Sequence, residues 1–138
     1  MEPMQQHKIV NSTYYIHKPD HRNGTPRKSQ WVISENLERL LFKTSKQKKW
    51  CDSNKGWGLY IVNGEVKYIG LAQDHKKRVF IGKFVDGNCN QIWHGYPADH
   101  QKNTQDIPPV KLLREWSDKD ILRPSKIRKL AKGQPCNL

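Results

Sequence analysis

The 138 residues are enough for one domain with a buried core and too few for two of ordinary size. Lys and Arg number 25 against 13 Asp and Glu, a net charge of +12, and a field of that sign favours polyanions such as nucleic acid or an acidic membrane surface. No run approaches the ~18 apolar residues of a membrane span, which excludes a helical transmembrane protein.

Mean hydropathy is −0.93, yet five Trp, five Tyr and three Phe supply enough large apolar surface to predict a folded domain with polar extensions. The opening "MEPMQQHKIV" lacks the apolar core of a signal peptide. Cys51, Cys89 and Cys136 are odd in number and have no C-x-x-C spacing, so no disulfide framework is expected. Both features suit a cytoplasmic or nucleoid-associated protein.

In chain order, "KIVNSTYYIHK" (8–18) reads as a strand and "PDHRNGTPRKS" as a basic loop. "WVISENLERLLFKTS" reads as a helix near 34–44, with Ser34 as cap and Leu37, Leu40 and Leu41 as one apolar stripe. The next segment packs Lys43, Lys46, Lys48, Lys49 and Lys55 around Trp50 and Trp57. Cations interleaved with aromatics suit a phosphate backbone and stacked bases. The alternative is a solvated loop anchored to the core by its tryptophans.

"GLYIVNGEVKYIG" (58–70) is predicted as a β-hairpin, because two runs rich in Tyr, Ile and Val flank Asn63-Gly64. The following "RVFIGKFV" fits either a strand or part of a helix that stops near Gly87. A helical tail is expected near 109–132: one helix begun by Pro108-Pro109, then a second short one with Ser125 near its start and Gly133 past its end. Its second half carries Arg123, Lys126, Arg128, Lys129 and Lys132, a basic face that could lie along phosphates or simply face solvent.

The hairpin resembles the core motif of the GIY-YIG nucleases. "GLY" (Gly58, Leu59, Tyr60) stands for the first half and "YIG" (Tyr68, Ile69, Gly70) for the second. Arg78 follows Gly70 by eight residues, and Glu115 lies on the predicted tail helix. The resemblance implies that Tyr60 activates or orients the attacking water and that Tyr68 completes its network. It further implies that Arg78 clamps the scissile phosphate and that Glu115 holds one Mg²⁺. It requires a helix after Gly70, since the family's arginine is helical. Seven residues separate Tyr60 from Tyr68, a few fewer than is usual in the family.

A second constellation, "IWHGYPADH", holds His94, with His75 upstream; either could serve as acid or base in a metal-independent RNase. Zinc is not expected, because His94 and His100 lack a thiolate pair.

The expectation is a single α+β domain over 1–138, with a small antiparallel sheet centred on the 58–70 hairpin. Residues 1–56 would be a basic extension or an added element and 57–138 a nuclease-like core. The leading functional reading is a Mg²⁺-assisted nuclease of DNA or structured nucleic acid. The alternatives are a non-catalytic nucleic-acid-binding module and a basic protein that binds an acidic partner.

Overall fold

The computed structural model describes residues 4–138. The strands are β1 (His7–Val10), β2 (Thr13–Tyr15), β3 (Gln30–Trp31), β4 (Cys51–Asp52), β5 (Lys55–Val62), β6 (Glu65–Lys67), β7 (Gly70–Leu71), β8 (Arg78–Val79), β9 (Ile81–Val85) and β10 (Ile92–Ala98). The helices are α1 (Glu35–Gln47), α2 (Val110–Asp118) and α3 (Pro124–Ala131). The fold is α+β, as expected.

The main sheet runs β1-β2-β10-β9-β5-β4, with β6 paired to β5. It is mixed, because β2 and β10 pair in parallel. A second, antiparallel sheet runs β3-β7-β8. "RVFIGKFV" is therefore strand, which corrects the helix that the nuclease resemblance requires after Gly70. The reason is burial on both faces: Ile81, Gly82, Lys83 and Phe84 are all buried, as in a central strand, and no apolar stripe of helical period survives.

The hairpin turn forms as predicted. Asn63 and Gly64 take φ of 52° and 81°, the left-handed pair of a type I′ turn, which sets Val62 opposite Glu65 and Tyr60 opposite Lys67. The pairing ends there. Gly70 belongs to the second sheet, where a Cβ would lie 2.5 Å from both the Gln30 carbonyl oxygen and Pro97 Cγ. The last glycine of "YIG" is thus required by close backbone approach.

Alternation along β5 divides the core into two layers. Trp57 and Leu59 point to one face, where Leu112, Leu113, Trp116 and Leu130 of α2 and α3 cover them. Gly58 and Tyr60 point to the other, where Leu41 and Phe42 of α1 pack with Tyr15, Phe84 and Trp93. Ser34 Oγ accepts the Leu37 N–H at 3.1 Å and caps α1 as expected. The tail is two helices as expected, α2 ending at Asp118 and α3 beginning at Pro124.

Residues 1–56 are not an appendage in their described part. β2 pairs with β10, β3 pairs with β7, and α1 supplies a core layer.

Two buried polar networks cross this core. Glu38, 1% exposed, accepts from Tyr15 Oη at 2.5 Å and from Arg22 at 2.6 and 3.1 Å. On the opposite face, Asp106 accepts from Tyr96 Oη at 2.6 Å and lies 3.6 Å from Lys83 Nζ. Lys83 is itself buried and donates to the Gln105 carbonyl.

Burial and the adjacent carboxylates push both tyrosines well above their ordinary range. Burial lowers the Lys83 ammonium, against the opposing pull of Asp106. An unfolded tyrosine ionises near pH ~10, so the tyrosine contribution to stability is complete below that pH and is lost above it. Lys83 acts in the other direction, adding stability as pH rises towards ~10.5 and nothing beyond. Above pH ~10.5 stability should fall by up to about 2.7 kcal/mol per pH unit, two protons at about 1.36 each. Urea midpoints at pH 9.5 and 11 measure this, and Tyr96→Phe should roughly halve the slope. An unchanged midpoint would show that neither hydroxyl is held as described.

Candidate nucleic-acid interface

The four residues that the nuclease resemblance singles out do not form one site. Tyr60 packs against the α1 layer, whereas Glu115 sits in the α2 layer on the other face of the sheet. Glu115 Oε2 accepts from Trp50 Nε1 at 2.6 Å and lies 3.4 Å from Lys119 Nζ, so an indole and an ammonium share one of its two oxygens. Among the described residues no three His, Cys, Asp or Glu side chains are grouped to hold a metal.

Tyr68 and Arg78 do meet. The Arg78 guanidinium lies 4.6 Å from the centre of the Tyr68 ring, and Phe80 meets the same ring edge-on at 6.4 Å. The three side chains form a partly exposed stack on the second sheet's edge.

The basic residues separate into two groups. Lys43, Lys46, Lys48 and Lys49 lie along or just past α1. Lys46 caps the Trp93 ring at 5.0 Å and Lys48 the Trp50 ring at 5.7 Å. Trp50 and Trp57 are 3% and 4% exposed, so they are core residues and not platforms for bases. A tryptophan in a charged stretch carries no mark of which way it faces; here both turn inward onto α2.

The second group surrounds a cleft of about 460 Å³ between β8, the start of β9, α3 and the chain after it. Lys77, Arg78, Lys126 and Lys129 line it, against one acidic side chain, Asp99. Lys126 and Lys129 share one face of α3 at i, i+3 spacing. Arg123 and Arg128 are exposed on the same helix but do not line the cleft. Lys77 bonds Asp99 at 2.8 Å, and Lys126 donates to the Leu138 carbonyl at 2.7 Å. Arg78 and Lys129 have no carboxylate within ion-pair distance among the described residues. The floor is apolar: Val79, Ile81, Ala98 and Leu130 are each 5% exposed or less.

Lys77 and His100 also belong to this cleft, and sequence reasoning passed them over. The signal for Lys77 is the run "HKKR", His75 to Arg78, which places several cations at the entry to β8.

The histidines do not make an acid–base pair here. His75 bonds the Lys28 carbonyl at 2.9 Å in an exposed turn. His94 lies elsewhere, on β10, where burial and nearby Lys18 lower its pKa and its Nδ1 has no partner among the described residues. His100 Nε2 meets the Gln134 carbonyl at 2.7 Å and helps hold the chain beyond α3 beside the cleft.

The chain matches no protein-family model, no curated protein and no solved structure. Among the described residues no helix is long and apolar enough to cross a membrane.

Proposed function

We propose that this protein binds nucleic acid through the cleft between β8, the start of β9 and α3, without the catalytic quartet of a GIY-YIG nuclease. The observation that carries this reading is the convergence of four cations, from β8, the bend before it and α3, around one cleft with a single acidic side chain. Cations grouped around one cleft can meet successive phosphates, and the net charge of +12 draws a polyanion towards them. Three free cysteines suit a reducing compartment, the cytoplasm or a nucleoid-associated pool.

The test is a salt titration of binding to a labelled oligonucleotide. Affinity should fall linearly in log–log form with salt. Arg78→Ala with Lys129→Ala should reduce the slope by about 1.4, two phosphates at ~0.7 each on a single strand. The control pair Lys43→Ala with Lys48→Ala, on the α1 side, should leave the slope unchanged. No binding at low salt would refute the reading. Oligonucleotide cleavage in Mg²⁺ that is lost on Tyr60→Phe would favour the nuclease instead.

A further inference from the structure

We infer that the cleft takes a nucleotide of a single strand, with its base inside and its phosphates on the cationic rim, while the Tyr68 ring stacks a neighbouring base. The inference rests on the nucleic-acid reading above and specifies its substrate class. Three observations carry it.

The first is the cleft's two-part lining. A surface built only for a phosphate backbone needs cations and no depth. This cleft has both: Val79, Ile81, Ala98 and Leu130 make an apolar floor beneath Lys77, Arg78, Lys126 and Lys129. An apolar floor under a charged rim matches the base and phosphate of one nucleotide. The volume of about 460 Å³ falls within the ~300–1,000 Å³ of small-molecule pockets.

The second is the aromatic stack at the rim. Tyr68 is 38% exposed, and its ring touches Arg78 and Phe80, both of which line the cleft. An exposed ring backed by a guanidinium is a platform for a base face, and stacking of this kind tolerates any sequence. The third is accessibility. In a duplex the base faces are covered by their neighbours, so neither floor nor platform can be reached without unstacking. A single strand offers both at no such cost.

The test is fluorescence anisotropy at low salt with labelled 12-nucleotide oligo-U and oligo-dT and a labelled duplex of 12 base pairs. At least one single strand should bind more tightly than the duplex, and the stronger of the two identifies the preferred sugar. Tyr68→Ala should weaken the single strand at least about fivefold, while Tyr68→Phe keeps it and the duplex is unaffected by either. Ser125→Leu adds an apolar side chain at an exposed position on the cleft wall without changing charge. It should weaken single-strand binding and leave the melting temperature in place. Equal or tighter binding of the duplex overturns the inference while leaving the nucleic-acid reading intact, as would a Ser125→Leu protein that binds like the parent. Loss of all binding by the parent protein removes both.

Discussion

Glu38→Ala is expected to cost about 3–5 kcal/mol, the usual penalty for breaking a buried ion pair. The carboxylate is 1% exposed, and its removal orphans the Tyr15 hydroxyl and the Arg22 guanidinium together. His17 Nδ1, 3.1 Å from the same oxygen, loses its neighbour too. These groups come from β2, the loop after it and α1, so the loss should loosen the whole α1 layer. Urea unfolding gives the cost directly. Glu35→Ala is the control: its side chain is 54% exposed, 3.8 Å from His17, and its removal should change stability by less than ~1 kcal/mol. A Glu38→Ala cost as small as the control's would mean that the network is decoration on a core held by Phe42, Phe84 and Trp93.

Asp106→Ala should be of similar size, about 3–5 kcal/mol, on the opposite face of the sheet. It strands Lys83, 1% exposed, beside the Trp57 ring 4.8 Å away, and deprives Tyr96 of its acceptor. Replacing both charges, Lys83→Met with Asp106→Leu, should recover much of the loss, because an apolar pair of similar volume removes the buried charge altogether. If the double variant is no better than the single one, the carboxylate matters mainly for shaping the 104–106 turn and not for neutralising Lys83. Neither residue lines the cationic cleft, so oligonucleotide binding by the folded fraction should persist in both variants.

What could be read from the sequence was local. The Asn63-Gly64 turn and the Ser34 cap act within a few residues, and both are present. The expected Leu37–Leu40–Leu41 stripe is not: Leu40 is 54% exposed, and Glu38, Leu41 and Phe42 take the buried side of α1. What could not be read was which distant surfaces would meet. Glu115 stands at the edge of the apolar face of α2, where it could equally aim into a cleft or cap a tryptophan. The arrival of Trp50 from 65 positions away decides for the tryptophan. Trp50 and Trp57 looked like base-stacking residues because their neighbours in sequence are lysines, yet the sheet turns both inward. Tyr68, placed in the nuclease motif by its neighbours, acquires its contacts from Arg78 and Phe80, ten and twelve positions on.

The parallel pairing of β2 with β10 has a consequence for synthesis. Tyr14 and Tyr15 find their partners at Ile92 and Trp93, so the first hairpin emerges from the ribosome long before the strand that completes it. At ~5–20 residues per second it waits several seconds with Tyr15 uncovered and one edge unpaired. A β1–β2 hairpin alone is too small to hold its shape in water. Residues 7–15 should therefore resist a protease only once β10, Ile92–Ala98, has been made.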